Sequence, residues 1–113
     1  MSLLSIRWKP EPLRTLAFGS IGAGYAGVGT AIAHPVFQFL VQNYTDALLT
    51  FSIDGVNDHF VLSAGSQWIN DISSNKSLLA QGLFLAQGTR LYVKENGTPT
   101  MGAVYFSVFY GAD

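Results

Sequence analysis

Residues 49–62 read Leu-Thr-Phe-Ser-Ile-Asp-Gly-Val-Asn-Asp-His-Phe-Val-Leu, and the rest of the chain follows their pattern. Apolar and polar side chains alternate as far as Ile53, which is the two-residue period of a strand with one buried face. Asp54-Gly55 then supplies turn chemistry, because Gly reaches positive φ at little cost and Asp bonds its own backbone. The alternation returns with Phe60 and Leu62 on one face. The stretch predicts a β-hairpin with a loop of about four or five residues.

Short alternating runs of this kind recur along the chain, each followed by Gly, Asn, Asp or Ser. Runs spaced about ten residues apart, with no helical period between them, are typical of antiparallel sandwiches and barrels. We therefore expect one all-β domain over residues 13–113, either a single antiparallel β-sandwich or a jelly-roll-like barrel of about eight strands. Besides the hairpin, the predicted strands are residues 13–20, 36–43, 67–72, 83–85, 90–94 and 103–110.

The same alternation selects a hydrophobic core. In residues 103–110 aromatic rings lie on both faces, with Tyr105 and Phe109 on the outer one. A strand of this composition is central in its sheet, or its outer face meets a partner. The residues expected to share one core are Phe37, Phe39, Phe51, Phe60, Val104, Phe106 and Val108.

The first twelve residues form a different kind of segment. Residues 1–12 show no alternation, and Pro10 and Pro12 forbid a helix and favour an extended N-terminal arm. Trp8 is flanked by basic residues, and an apolar anchor with a charged rim is what interface hot spots favour. We expect the arm to dock on another subunit. The candidate partner-binding residues are Leu4, Ile6 and Trp8 in the arm, with Tyr105 and Phe109 on the last strand.

The composition is low in charge. Charged residues make up 12% of the chain, about half the usual share, while apolar residues make up 49%. Such a surface is easier to understand if partner subunits cover much of it, although a neutral secreted β-domain is an open alternative. The net charge of −1 has no runs, so neither nucleic acid nor an anionic membrane is an expected partner. Without a signal-peptide pattern, we expect synthesis in the cytosol.

Residues 22–27, Gly-Ala-Gly-Tyr-Ala-Gly, have the spacing of a dinucleotide-binding loop. That motif requires a following helix whose N-terminal amides meet the pyrophosphate. The next residues show no helical period and end in His34-Pro35. We therefore interpret the glycine-rich segment as a flexible or bulged connection, with no cofactor.

Candidate catalytic and metal-binding residues are few. His34 and His59 have no partners at metal-ligand spacing, and the zero cysteines exclude thiolate sites. Asp54, Asn57 and Asp58 could lend oxygens to calcium, but a turn explains all three. Ser20 does not fit the nucleophile-elbow pattern. We therefore predict no catalytic residues, no metal site and no enzymatic activity.

Turn and strand signatures occur in Asn43-Tyr-Thr-Asp46, Phe51-Ser-Ile-Asp-Gly-Val-Asn-Asp-His-Phe-Val-Leu-Ser-Ala-Gly-Ser66, Asp71-Ile-Ser-Ser-Asn75, Gln87-Gly-Thr-Arg-Leu-Tyr-Val-Lys94 and Gly102-Ala-Val-Tyr-Phe-Ser-Val-Phe-Tyr110. With Val28-Gly-Thr-Ala-Ile-Ala-His-Pro35 upstream, these stretches resemble small virion structural proteins of tailed bacteriophages. The resemblance covers nearly the whole chain beyond the arm. It implies a compact β-sandwich attached to capsid or tail, without catalysis, and it carries over no functional residues.

The resemblance implies a capsid decoration (cement) protein, located in the virion, that stabilises the shell by bridging capsid subunits. Its expected partners are the major capsid protein or other virion subunits, and it is expected to be a homo-oligomer. A neck or tail adaptor, or a fibre-anchoring subunit, is the related alternative. From a different class, a carbohydrate-binding module would need about two or three exposed, coplanar aromatic rings.

Overall fold

The computed structural model describes residues 7–71 and 85–112, and these residues form two antiparallel sheets packed as a β-sandwich. The predicted fold class is therefore confirmed. The part of the chain described here contains one 3-10 turn, Phe18–Ser20, and nine strands. The strands are β1 Arg7–Pro10, β2 Arg14–Ala17, β3 Ala26–Gly27, β4 Gln38–Asn43, β5 Leu49–Ser52, β6 Phe60–Leu62, β7 Gln67–Asp71, β8 Tyr92–Glu95 and β9 Ala103–Ala112.

The five-stranded sheet is built around β9. Its order is β1-β9-β4-β7, and β2 pairs with the same edge of β9 as β1 does. Along the β4–β9 pairing, Phe39 lies opposite Val108 and Val41 opposite Phe106. All four side chains are buried, because a period of two places every second residue of both strands on the core side. β9 is central in its sheet, which is one of the two arrangements that its composition predicted.

The second half of the predicted arm belongs to this sheet. Pro10 pairs with Phe109 and Arg14 with Phe106, so the edge strand has one residue more than β9 between these pairs. The Glu11 amide still donates to the Val108 carbonyl at 3.1 Å, and β1 and β2 are one edge strand interrupted by a bulge. The prediction that residues 7–12 form an arm separate from the domain is therefore wrong. Residues 1–6 lie outside the described residues.

The four-stranded sheet has the order β3-β8-β5-β6. The predicted hairpin is confirmed, with Leu49 opposite Leu62 and Phe51 opposite Phe60. Its connection spans residues 53–59 and is longer than expected, because Asp54 organises the loop through its own hydrogen bonds. Of the other predicted strands, the one beginning at residue 83 falls mostly outside the described residues.

Both sheets contribute to one core. Of its expected members, Phe39, Phe51, Val104, Phe106 and Val108 are buried, and Phe60 is partly buried against them. Phe37 was wrongly assigned, since the fully buried residue is Val36. Val36 forms a bridge with Leu85, and the chain bends at Phe37 before β4 begins. The bend reverses the inside-outside alternation that a continuous strand would keep.

The glycine-rich segment runs along the four-stranded sheet and contains no helix. The Val28 amide donates to the Leu91 carbonyl at 2.7 Å, and the Ile32 amide donates to the Thr89 carbonyl at 2.8 Å. The buried side chains of Val28 and Ile32 join the core. A β-carbon at Gly27 would collide with the Arg90 guanidinium, so the backbone must lie close to that side chain. Ala26–Gly27 of this segment form strand β3, and no helix follows within residues 28–37, all of which are described.

Candidate interaction face

The side of the five-stranded sheet turned away from the core is called the outer face below. Directly opposed residues share a face, so the pairs Gln38–Phe109, Leu40–Ser107 and Gln42–Tyr105 place all six on it. The neighbouring strands extend it in both directions. Its main residues are Trp8 on β1, Thr15 on β2, Gln38, Leu40 and Gln42 on β4, Gln67, Ile69 and Asp71 on β7, and Tyr105, Ser107 and Phe109 on β9.

The outer face contains three of the five predicted partner-binding residues, Trp8, Tyr105 and Phe109. The Trp8 ring stacks on Phe109 with centroids 4.5 Å apart and an interplanar angle of 17°. Its indole Nε1 donates to Gln38 Oε1 at 3.0 Å, which fixes the ring across the sheet, although 57% of Trp8 remains exposed. Tyr105 lies further along β9, edge-on to Tyr44 at 5.8 Å. The other two candidates, Leu4 and Ile6, lie outside the described residues.

The outer face carries almost no charge. Among its described residues only Asp71 is ionisable at neutral pH. Its polar groups include the amides of Gln38, Gln42 and Gln67 and the hydroxyl of Ser107. Ile69 is 60% exposed and, with Trp8, leaves large apolar side chains in contact with solvent. An uncharged surface with exposed aromatic and aliphatic groups is typical of a protein–protein interface.

The opposite side of the molecule carries an ion pair and a cation–π contact. Lys94 Nζ lies 3.0 Å from Asp58 Oδ1 and 4.7 Å from the centre of the Tyr25 ring. Tyr25 also donates a hydrogen bond to Asp58. Burial and this hydrogen bond raise the pKa of Tyr25 to about 12, and hydrogen bonds from Tyr25 and Lys94 lower the pKa of Asp58. This side therefore carries charged groups that the centre of the outer face lacks.

A buried ionic cluster holds the edge strand in place. Glu11 Oε1 lies 2.7 Å from Arg14 Nη2, and Glu11 Oε2 lies 2.7 Å from His34 Nδ1. The Arg14 guanidinium also donates to the carbonyls of Thr30, at 2.7 Å, and Ala31, at 3.0 Å. Burial raises the pKa of Glu11, but hydrogen bonds with His34, Arg14 and the Ala33 amide outweigh it and hold this pKa below its usual value. The cluster fastens the bulge to the glycine-rich segment.

The sequence interpretation missed this cluster. Glu11 sits between two prolines, and the local pattern gave no reason to place it inside. The available signal was Arg14, a basic residue three positions later at the start of a predicted strand. His34, for which the sequence offered no partner at metal-ligand spacing, stacks on Tyr110 with centroids 3.7 Å apart and joins Glu11. Because each of the three guanidinium nitrogens of Arg14 donates to a protein acceptor, the cluster is structural.

Ser52, Asp54 and His59 come together in the hairpin loop but do not form a catalytic triad. Ser52 is fully buried, and its hydroxyl donates to Asp54 Oδ1 at 2.8 Å. The nearest nitrogen of His59, Nδ1, accepts a hydrogen bond from the Ile53 amide at 3.0 Å, so it is not free to take the serine proton. These groups stabilise the turn.

The suggested calcium ligands are engaged elsewhere. Asp54 Oδ1 accepts from the Val56 and Asn57 amides, both at 2.8 Å. The hydrogen bond from the Asn57 amide has the largest effect on the pKa of Asp54 and lowers it. The hydrogen bond from the Val56 amide has the next largest effect, in the same direction. The turn interpretation therefore holds for Asp54 and Asn57, whereas Asp58 pairs with Tyr25 and Lys94. Within residues 7–71 and 85–112, no group of three or more His, Asp and Glu side chains could hold a metal ion.

Comparisons with known proteins give no relative from which to transfer a function. No protein-family model matches the chain, and no curated protein and no solved structure matches it significantly. In the described part of the chain, no helix is long and apolar enough to cross a membrane. Of the described surfaces, the outer face departs most clearly from an ordinary solvated surface, and it is the candidate functional site.

Proposed function

We propose that this protein is a non-enzymatic virion structural protein of a tailed bacteriophage, a decoration protein that stabilises the capsid by bridging its subunits. The motif resemblance described above supports the virion setting. The mechanism is mass action, because a molecule that binds only the assembled shell adds its binding free energy to that shell. Repetition of weak contacts on a symmetric lattice strengthens them through effective concentration.

The observation that carries the proposal is the uncharged outer face. Interface centres are depleted in charge and enriched in aromatic residues, and Trp8, Tyr105 and Phe109 provide such a group. An isolated soluble domain normally has more charge on its surface than this face does. We propose that the face is covered in the assembled particle.

A carbohydrate-binding module is the weaker proposal. Such a module needs exposed rings lying in one plane, so that a sugar can stack across them. Here the Trp8 ring already has one of its faces on Phe109. The Tyr44 and Tyr105 rings are inclined to each other by 68° and do not form a flat platform.

The test of a virion role is binding to particles of the same phage assembled without the protein. Wild-type protein is expected to sediment with them, and Trp8→Glu is expected to lose at least about tenfold in affinity, because it places a charge among desolvated apolar groups. Val56→Glu is the matched control, since Val56 is 78% exposed in the hairpin loop and far from the outer face in sequence and sheet. Wild-type protein that fails to bind would contradict the proposal, as would equal binding by Trp8→Glu.

The copy number per particle distinguishes a capsid decoration protein from a neck or tail protein. Decoration of a shell requires on the order of hundreds of copies, whereas a neck or tail ring contains about six or twelve. Quantitative mass spectrometry of purified particles measures this number against the major capsid protein.

A further inference from the structure

We infer that the outer face binds a second copy of this chain, which makes a twofold-symmetric dimer the unit that bridges the shell. The bridging role rests on the proposed function, but the dimer itself rests on the chemistry and size of the face. The argument has three steps, which concern charge, hydrogen bonding and area.

The first step is charge. In a twofold interface the same patch contributes from both copies, so residues near the axis meet their own twins. A charged patch would then oppose like charges, which repel. On the outer face the described residues include one charge, Asp71, on the marginal strand β7, and none on the central strands β4 and β9. A partner of different sequence would impose no such neutrality, because unlike proteins can complement each other's charges.

The second step is hydrogen bonding. The polar side chains of the central and β7 strands include Gln38, Gln42 and Gln67. An amide contains both a donor and an acceptor, so two identical amides can pair with each other. A face of carboxylates or ammonium groups could not do this. The outer face is therefore compatible with its own copy in hydrogen bonding as well as in charge.

The third step is area. The ten residues of β9 extend about 33 Å, and four strand positions side by side span about 19 Å. Because β4 and β7 are shorter, with 6 and 5 residues, the strands together offer about 500 Å² per copy, or about 1,000 Å² in a dimer, which is about the minimum for a biological interface. Sheets pack about 10 Å apart with their strands roughly aligned, so two flat faces can meet over this whole area.

The centre of the face lies at the pair Leu40–Ser107, between the central strands. Leu40 should therefore lie close to its twin, and this position provides the sharpest test. Leu40→Glu and Leu40→Lys each place like charges together and should weaken dimerisation at least about 100-fold. An equimolar mixture of the two variants should recover a heterodimer, because the charges are then opposite.

Sedimentation velocity over a concentration series measures these equilibria, and circular dichroism checks that each variant is folded. Val61→Glu is the matched control, because Val61 is 53% exposed on edge strand β6 of the other sheet. It should dimerise as the wild type does. Monomeric wild-type protein at about 100 μM would overturn the inference, as would failure of the mixture to associate.

A cross-link gives a second reading that does not depend on the charged variants. The chain contains no cysteine, so Ser107→Cys introduces a single thiol at the centre of the face. Because the facing backbones are about 10 Å apart, too far for a direct disulfide, a short bifunctional thiol reagent should link two copies through this position, whereas Val61→Cys should remain monomeric on a denaturing gel. A Ser107→Cys protein that gives no linked dimer would contradict the twofold arrangement.

Particle binding separates this inference from the proposed function. If the protein dimerises but does not bind particles, the inference of a dimer is supported and the proposed virion role is contradicted. Protein that is monomeric in solution but loses particle binding in Leu40→Glu would show that the outer face contacts the shell directly, and the dimer would then be wrong.

Discussion

Glu11 carries a buried negative charge at the bulge between β1 and β2. The bulge turns its side chain inward, where Arg14 and His34 complete its hydrogen bonds. A buried carboxylate is tolerated only with such partners, because its desolvation is otherwise unfavourable. One side chain thus links the edge strand to the glycine-rich segment.

Glu11→Gln should destabilise the protein by about 3–5 kcal/mol, because it leaves the Arg14 guanidinium buried without its counter-charge. Urea unfolding at about pH 7 measures the loss. Glu95→Gln is the matched control and should change stability by no more than about 0.5 kcal/mol, since no ion pair of Glu95 is seen in the described residues. Equal effects of the two substitutions would contradict the role given to the cluster.

The contribution of Glu11 also depends on pH, in a direction set by its lowered pKa. The folded pKa lies below the usual value of 4.5, so the unfolded chain binds more protons as the pH falls through this region. The stability that the charged form contributes is present above pH 4.5 and is lost below it. The difference in unfolding free energy between wild type and Glu11→Gln should therefore shrink towards about pH 3. Taking the difference removes the parallel effects of Asp46, Asp54 and Asp58, whose pKa values are also lowered.

At the level of elements, the hairpin of β5 and β6 contributes two aromatic rings to the core, Phe51 and the partly buried Phe60. Phe51 is fully buried and stacks on Phe60 with centroids 5.0 Å apart. Phe51→Ala should cost about 3–5 kcal/mol through lost burial and a cavity. Phe37→Ala should cost clearly less, because Phe37 lies at the bend and is partly exposed. Urea unfolding of both variants checks the order, and a reversed order would contradict the assignment of the bend.

The edge strand of β1 and β2 changes how truncation should be interpreted. Deleting residues 1–12 removes β1 and Glu11, so it should lower the free energy of unfolding through lost strand pairing and an unpaired Arg14. Deleting residues 1–6 keeps both and should cost less. Thermal unfolding of the two truncated proteins compares them. Equal melting temperatures would mean that β1 contributes nothing to the fold.

At the level of the whole molecule, charge is distributed unequally between the two sides. Lys94 and Asp58 form an ion pair on the four-stranded sheet, whereas the centre of the outer face is neutral. An association through the outer face should therefore depend little on salt, because screening acts on charges. We expect the dimer dissociation constant to change less than about threefold between about 50 mM and 500 mM NaCl. A tenfold weakening would indicate that the charged side forms the contact.

Much of the architecture follows from the sequence alone. The two-residue period of β5, β6 and β9, with the turn residues between them, is a local property that specifies strands and hairpins. The core phenylalanines Phe39, Phe51 and Phe106 follow from the same period, since burial of one strand face requires it. Tyr105 and Phe109 were likewise recognisable as outward-facing aromatics, whereas Trp8 was identified only as an apolar anchor between two basic residues.

The tertiary structure decided which side of the sheet some residues occupy, and no local sequence pattern contains this information. Phe37 changed sides because a bend reversed the alternation, and Glu11 became buried because the bulge shifted the register of the edge strand by one residue. A one-residue shift exchanges the two faces of a strand, and only pairing with a strand distant in sequence determines where it occurs. Pairing of β1, β4 and β9 also joined Trp8, Gln38 and Phe109 into one face. The sequence by itself determined which residues form strands, and long-range register determined which side each residue occupies.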